Sequence, residues 1–365
     1  MIFHTVTRTK ATPRRRTALR VASLFSGAGG LDLGFKRAGM RIVWANEYDK
    51  SIWDTFQSNF PTTELDKRSI VDVDAGELPA IDGLIGGPPC QSWSEAGARR
   101  GIQDSRGQLF FEYERILAET DPLFFLAENV SGILFPKNRR AFSNILEGFC
   151  KLGYNVSFGL LNANDYGVPQ DRERVIIVGY RSDTKLHFEP PKRVTERPTL
   201  KNAIWDLRDS AKPAHNGSDG ELELANHHFL TGGFSTIYMS RNRVRQWHQP
   251  SFTIQAGGRH APLHPQAPVM ELVGTDVRQF VRGAEHLYRR LTVRECARVQ
   301  TFPDDFTFVY RNVNDGYKMV GNAVPVEFAR RLGRRISRDL AEIRVRQRRK
   351  RMRGSVRRFG ENTPF

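Results

Sequence analysis

Among the side chains whose sequence neighbours suggest a functional site, Cys90 is the most reactive. It follows Pro88 and Pro89, just after a predicted buried strand at 81–85. A thiolate is a strong nucleophile, and loops at the ends of buried strands are where open α/β sheets bind ligands. The pattern therefore indicates a nucleophile at a binding site. The alternative is a small buried hydrophobe, which is the commoner fate of a free cysteine.

Charged residues flank two further apolar runs. Glu128 comes directly after the run 123–127, so partial desolvation would let its carboxyl hold or donate a proton near neutral pH. Arg172 and Arg174 stand just before the run 175–180. On an extended chain they point to the same side and could clamp an anion or a carbonyl group. Taken alone, the acid could instead be a helix cap and the arginines a surface cluster.

A glycine-rich turn near the N-terminus predicts a cofactor site. Gly27, Gly29 and Gly30 precede a helical pattern, and the first turn of a helix offers unpaired N–H groups to a ligand. Glu47 follows the next predicted strand, where an acid would accept hydrogen bonds from ribose hydroxyls. The spacing Gly-x-Gly-Gly is shorter than the dinucleotide fingerprint, which favours a nucleoside-like cofactor over a nicotinamide one. A tight structural turn is the alternative.

The elements that would position these residues alternate between strand and helix. Strands are predicted at 21–25, 41–45, 81–85, 123–127 and 175–180, and helices at 31–38, 110–119 and 139–152. This alternation predicts an α/β fold with a doubly wound, mostly parallel sheet. Prolines within 189–200 predict a domain boundary. Beyond it the pattern is irregular until helices predicted at 292–301 and 326–343.

Composition restricts the class of protein. The 365 residues are 39% hydrophobic and 26% charged, with a formal net charge of +16 and three cysteines. The apolar runs are far shorter than the roughly 20 residues of a membrane span. The cysteines are too few for a disulfide scaffold, and no signal-peptide pattern is evident. We therefore expect a protein of a reducing compartment, the cytoplasm, with no membrane partner.

The positive charge is concentrated at the two ends of the chain. Residues 1–20 hold six cations and no acid, and residues 330–358 hold fourteen cations and two acids. Such segments attract polyanions through counterion release. The alternatives are two solvated tails or, for the first segment, an organelle transit peptide.

Taken together, the motifs resemble those of the DNA cytosine-5 methyltransferase family. The matching segments, in the family's order, are 25–35 (FSGAGGLDLGF), 86–94 (GGPPCQSWS), 128–130 (ENV), 170–175 (QDRERV), 289–306 (RRLTVRECARVQTFPDDF) and 321–325 (GNAVP). The resemblance implies a Rossmann-like catalytic and cofactor-binding domain at 21–190 and a smaller, irregular target-recognition domain at 191–312. The chain would return to the catalytic domain at 313–343, with basic tails at 1–20 and 344–365.

The resemblance also implies a reaction without a metal. Cys90 would add to carbon 6 of a flipped-out cytosine, and Glu128 would hydrogen-bond its N3 edge. Arg174 and Arg172 would hold the cytosine carbonyl. Carbon 5 would then take the methyl group of S-adenosyl-L-methionine.

Twelve positions are implied as cofactor contacts. They are Phe25, Ser26, Gly27, Gly29, Gly30, Leu31, Glu47, Tyr48, Ile70, Pro88, Asn322 and Ala323. The family usually has an acid after its third strand that contacts the adenine amine of the cofactor. Ser69 and Ile70 occupy that place here, so Asp72 or a backbone carbonyl would have to substitute.

The variable segment 240–270 resembles the recognition segment of family members that methylate the inner cytosine of 5′-GGCC-3′. Arg241, Arg243 and Arg259 would then read guanines in double-stranded DNA, because bidentate arginine–guanine pairs are the commonest specific contact. Phosphate contact is the alternative for each of them. We expect a monomer, accompanied by a cognate restriction endonuclease encoded separately.

Other classes compete with this interpretation. A tRNA cytosine-5 methyltransferase would share the Pro-Pro-Cys motif, whereas amino-methylating DNA enzymes typically have an aromatic residue after Pro-Pro. A non-catalytic DNA-binding module would not need Cys90, Glu128 and Arg174 intact.

Overall fold

A computed structural model describes residues 18–89, 108–214 and 224–359, the last range as backbone alone beyond residue 342. The predicted nucleophile Cys90 lies outside the described residues. In the part of the chain that is described, no helix is long and apolar enough to cross a membrane.

Seven strands form the central sheet. They are β1 (Arg20–Leu24), β2 (Arg41–Asn46), β3 (Glu64–Asp66), β4 (Gly83–Gly86), β5 (Phe124–Val130), β6 (Tyr154–Asn162) and β7 (Glu173–Arg181). Their order is β3-β2-β1-β4-β5-β7-β6, with β1 to β5 parallel and β7 antiparallel to both of its neighbours. The expected α/β fold with a mostly parallel sheet is confirmed.

Two of these strands were absent from the prediction. β3 has only three residues, none of them fully buried, so it lacks an apolar run. β6 lies at the edge of the sheet, and most of its side chains are partly or fully exposed. Neither strand therefore shows the continuous apolar pattern that marks a strand buried on both faces.

Helices cover both faces of the sheet. They are α1 (Gly30–Arg37), α2 (Trp53–Asn59), α3 (Gln108–Thr120), α4 (Arg139–Lys151), α5 (Leu200–Ile204), α6 (Thr236–Met239), α7 (Val293–Val299), α8 (Val313–Asn322) and α9 (Val326–Phe359). α9 extends past its predicted end at residue 343, because residues 344–359 are rich in arginine, a good helix former, and contain no proline.

Alternate residues of each inner strand enter different cores. Leu126 of β5 packs in a core with Phe35 of α1 and Phe328 of α9. Its neighbour Phe125 packs on the opposite face with Phe149 of α4, their ring centroids 4.3 Å apart. Because successive side chains pack into cores on opposite faces, the sheet is held between its two helical layers. The positions of its strand ends are therefore fixed.

Short elements make up most of the segment between α5 and α7. They include β8 (Lys212–Pro213), β9 (His228–Phe229) and a hairpin of β10 (Glu271–Gly274) with β11 (Val277–Gln279). A small apolar core around Tyr238, Val244 and Leu263 stabilises part of this segment. The predicted limits of the recognition domain stay a prediction.

Candidate active site

One cavity of about 550 Å³ opens at the carboxyl ends of the parallel strands, a size suited to a small-molecule ligand. Segments that follow β1, β2, β4 and β5 line it, together with the turn between α8 and α9. Nine of the predicted site residues lie in its wall: Phe25, Ser26, Gly27, Leu31, Glu47, Pro88, Glu128, Asn322 and Ala323.

The glycine-rich turn holds Glu47 at the cavity wall. The N–H of Gly27 donates to Glu47 Oε2 at 2.8 Å, and the N–H of Asp49 donates to Oε1 at 2.7 Å. Burial raises the pKa of Glu47, and the two backbone hydrogen bonds oppose that rise. Each carboxylate oxygen can accept a further hydrogen bond, so Glu47 can also receive ligand hydroxyls.

Gly29 and Gly30 do not line the cavity, and their predicted role as cofactor contacts stays a prediction. A Cβ on Gly29 would lie 2.3 Å from the ring of Phe60, and the backbone φ there is +86°. A Cβ on Gly30 would lie 2.4 Å from the carbonyl oxygen of Val324. These glycines allow α2 and the turn before α9 to pack closely against the start of α1.

Tyr48 and Ile70 are also absent from the cavity wall. The Tyr48 side chain is 70% exposed, because the turn after β2 directs it to solvent. The Ile70 side chain is buried in the core on the face that carries α3. Asp72, the suggested substitute for the missing acid, is exposed and is likewise absent from the wall.

Asp49 is an acid of the cavity wall that the sequence analysis missed. It forms an ion pair with Lys318 of α8. Although burial acts in the opposite direction, hydrogen bonds from Lys318 and Ser51 hold the pKa of Asp49 below its usual value. Asp49 stands two residues past Glu47 at the same strand end, which was the available signal. Lys318 gave none, since it is distant in sequence.

Glu128 and Arg174 form an ion pair at the other side of the cavity. Arg174 Nε lies 2.8 Å from Glu128 Oε1, and both side chains are largely buried. Glu128 lies within β5 and not after it as predicted, because pairing with β7 continues to Val130, which stands opposite Arg174. Glu128 lines the cavity, and the Arg174 guanidinium is paired with it.

Asn129 fixes the segment that leads to Cys90. Its Nδ2 donates to the carbonyl of Pro88 at 3.0 Å, and its side chain is buried. A Cβ on Gly87 would lie 3.3 Å from Glu128 Oε2, so this segment passes close to the acid. Two residues before Cys90, the chain is therefore anchored beside Glu128.

Arg172 lies in the interior of the protein. It is 2% exposed and does not line the cavity. Its guanidinium donates to the backbone carbonyls of Ile254, Gly321 and Ala323 instead. These donors are engaged within the protein, whereas the buried Nε has no hydrogen-bond partner among the described residues, and the predicted contact of Arg172 with the cytosine carbonyl stays a prediction.

The three predicted DNA-reading arginines differ in their surroundings. Arg241 and Arg259 are exposed, and no described residue hydrogen-bonds either guanidinium. Arg243 is partly buried over the ring of Tyr238, and its Nε donates to the Tyr238 carbonyl at 2.9 Å. Arg241 and Arg259 can therefore reach a partner without breaking contacts, whereas Arg243 must first release Tyr238 or use its remaining donors.

The described residues contain no group of three or more His, Cys, Asp or Glu side chains placed to hold a metal ion. The sequence pattern of one family, the C-5 cytosine-specific DNA methylases, matches residues 19–338. The chain belongs to this family. It is therefore a DNA (cytosine-5-)-methyltransferase, and methyltransferases of this family generally use S-adenosylmethionine.

Known relatives of this methyltransferase align over most of their length. It is 54% identical over 330 residues to the type II methyltransferase M.FnuDI of Fusobacterium nucleatum, covering 89% of this chain and 96% of that protein. It is 55% identical over 326 residues to the type II methyltransferase M.MthTI of Methanothermobacter thermautotrophicus, covering 88% and 98%.

Among solved structures, the methyltransferase EhMeth of Entamoeba histolytica matches this methyltransferase with a TM-score of 0.64. The match has 16% identity and covers 89% of this chain and 99% of that one. At this identity, the likeness supports the fold alone.

The burial of Asp32 should make the stability of the folded protein depend on pH. Its side chain is fully buried in α1, and burial raises its pKa from 3.8 to about 7, a rise that the Ser23 hydroxyl only reduces. Between these values the folded protein holds a proton that the unfolded chain has lost, so stability falls as the pH rises. Asp32→Asn removes this dependence. The free energy of unfolding of Asp32→Asn minus that of wild type should therefore increase by roughly 2–3 kcal/mol from about pH 5 to about pH 8.

Urea unfolding at the two pH values measures this change. Asp72→Asn is the matched control, because it makes the same chemical change at an exposed position. A pH-independent difference for Asp32→Asn would show that Asp32 is ionised in the folded protein throughout this range.

Proposed function

We propose that this methyltransferase transfers a methyl group from S-adenosyl-L-methionine to the inner cytosine of 5′-GGCC-3′ in double-stranded DNA. The observation that carries the proposal is the shared cavity. Glu47 and the glycine-rich turn line one side of it, and Glu128, paired with Arg174, lines the other. A cofactor and a base bound there would therefore meet.

The cavity residues fit the cofactor. Leu24, Phe25 and Ile52 offer apolar surface for a base, and Glu47 offers a carboxylate for ribose hydroxyls. Asn322, the last residue of α8, also lines the cavity. When bound, S-adenosyl-L-methionine supplies an electrophilic methyl group. We propose no metal ion for this reaction.

The chain's own residues would activate the cytosine. Cys90 adds as a thiolate to carbon 6, which makes carbon 5 nucleophilic towards the methyl group. Loss of the carbon 5 proton and elimination of the Cys90 thiolate then release 5-methylcytosine. Glu128 hydrogen-bonds the N3 edge and stabilises the charge that develops during addition. Arg174 holds Glu128 in place, and its remaining donors hold the cytosine carbonyl. A stacked base cannot reach these groups, so the cytosine must leave the helix, at a cost of a few kcal/mol.

The proposed target rests on segment 240–270, which resembles the recognition segment of the HaeIII methyltransferase, a GGCC-specific enzyme. Arg241 and Arg259, both exposed within it, would read guanines, with Arg243 released from Tyr238 on binding. Because the relatives are named as type II methyltransferases, we propose a restriction-modification role. The enzyme would act as a monomer on the DNA of the nucleoid and protect it from a cognate endonuclease.

Bisulfite sequencing of a plasmid expressed with this chain tests the proposal. We expect methylation confined to the inner cytosine of GGCC, and none with Cys90→Ala. Cys150→Ala is the matched control, because Cys150 is an exposed cysteine of α4 and its loss should leave methylation intact. Methylation at another motif would contradict the target. Methylation by Cys90→Ala would contradict the covalent role.

Arg259→Ala tests the recognition of guanine. Loss of a bidentate contact costs about 1–3 kcal/mol of discrimination, so the preference for GGCC over a duplex with one guanine replaced should fall roughly 5- to 150-fold. Competitive methylation of the two duplexes measures this ratio. Arg41→Ala is the control, because Arg41 is exposed at the amino end of β2, whereas the cavity lies at the carboxyl ends of the parallel strands. An unchanged ratio for Arg259→Ala would restrict this residue to phosphate contact.

A further inference from the structure

Three buried polar side chains meet beneath the cavity. Gln170 and Arg172 precede β7, and Gln300 follows α7; each is at most 2% exposed. Gln170 Nε2 donates to Gln300 Oε1 at 2.8 Å. We call this set the Gln170–Arg172–Gln300 clasp. Buried polar groups are costly unless they are hydrogen-bonded, so the partners of the clasp show what it holds.

One partner is segment 240–270, which we call the recognition segment. The N–H of Ile254 donates to Gln170 Oε1 at 2.9 Å, and the Ile254 carbonyl accepts a hydrogen bond from Arg172 Nη1 at 3.0 Å. Both backbone groups of Ile254 are therefore fixed by the clasp. Ile254 stands five residues before the exposed Arg259.

The other partner is the segment 321–323 at the end of α8, which we call the α8–α9 turn. Arg172 Nη2 donates to the carbonyls of Gly321 at 3.0 Å and Ala323 at 3.1 Å. Gln300 Nε2 also donates to the Ala323 carbonyl, at 3.1 Å. Ala323 lines the cavity, so the same side chains hold the recognition segment and the cavity wall.

The two held segments touch directly. A Cβ on Gly321 would lie 2.2 Å from the carbonyl oxygen of Gln255. The turn therefore packs against the backbone of the recognition segment with no room for a side chain. Such a contact transmits a displacement of either segment to the other.

The charge of Arg172 strengthens this connection. No carboxylate among the described residues forms an ion pair with its guanidinium, and backbone carbonyls accept from it instead. Burial lowers the pKa of Arg172 to about 9, so the side chain remains protonated at neutral pH. Moving either segment alone would withdraw a carbonyl from a buried cation, which is strongly unfavourable.

We propose that the Gln170–Arg172–Gln300 clasp couples the recognition segment to the cofactor side of the cavity, so that DNA and cofactor each increase the affinity for the other. Arg172 is then a positioning residue. The inference rests on the proposed function, since it takes DNA to bind near Arg259 and the cofactor to bind near Ala323.

The test measures the binding of S-adenosyl-L-homocysteine by calorimetry, with and without a short duplex that carries the motif methylated in the bisulfite experiment. The ratio of the two dissociation constants is the coupling factor. For wild type we expect about 5- to 150-fold, the usual range for coupled sites. Arg172→Lys cannot span the three carbonyls, because lysine lacks the planar fork of arginine. We expect its coupling factor to fall towards one.

Arg294→Lys is the matched control. Arg294 is also fully buried and also donates to three backbone carbonyls, those of Ala225, Pro303 and Phe306, none of which belongs to the turn after α8. Its replacement should disturb packing to a similar degree and leave the coupling factor at the wild-type value. An equal loss in both variants would overturn the proposal, because general loosening would then explain it.

Gln300→Met provides a second variant that keeps the side-chain volume and removes the hydrogen bonds, should Arg172→Lys fail to fold. It too should lower the coupling factor. A wild-type factor in either folded clasp variant, or a factor of one in wild type, would overturn the inference. Failure of the proposed function would give a different result, because wild type would then bind neither the duplex nor S-adenosyl-L-homocysteine.

Discussion

The ion pair between Glu128 and Arg174 depends on the direction of β7. Glu128 lies near the carboxyl end of β5, and Arg174 near the amino end of β7. In an all-parallel sheet these ends would lie at opposite edges, roughly 20 Å apart for strands of this length. Because β7 runs antiparallel to β5, the two side chains meet at 2.8 Å. One reversed strand therefore brings an arginine to the edge where the parallel strands end.

That edge also collects the groups proposed to bind the cofactor. β1 leads into the glycine-rich turn, β2 into Glu47 and β4 into Pro88, and all three segments line the same cavity as Glu128. The hydrogen bond from Asn129 to Pro88 ties the segment before Cys90 to this edge. The sheet thus brings together residues that are distant in sequence. Ala323, from the C-terminal part of the chain, completes the cavity wall.

The sequence predicted those features that a local pattern can express. Buried strands such as β5 appear as apolar runs, and the acid after β2 is placed by its distance from the glycine turn. The direction of β7 and the pairing of Asp49 with Lys318 have no local signal, because both depend on tertiary contacts. The motif around Arg172 suggested two equivalent arginines. The structure separates them, since Arg172 donates to buried backbone carbonyls whereas Arg174 pairs with Glu128, which lines the cavity. Tyr48 and Ile70 lie outside the cavity wall because side-chain direction follows from packing, and their predicted contacts with the cofactor stay predictions.

Covalent trapping tests the central claim, that Glu128 at this edge promotes the addition of Cys90 to a cytosine. The substrate is a duplex whose target cytosine carries fluorine at carbon 5, so that the adduct persists because fluorine cannot leave as a cation. With S-adenosyl-L-methionine present, wild type should form a protein–DNA adduct stable on a denaturing gel. Glu128→Gln should form it roughly 10²- to 10⁴-fold more slowly, and the exposed control Glu147→Gln at the wild-type rate. Adduct formation by Glu128→Gln at the wild-type rate would contradict the account.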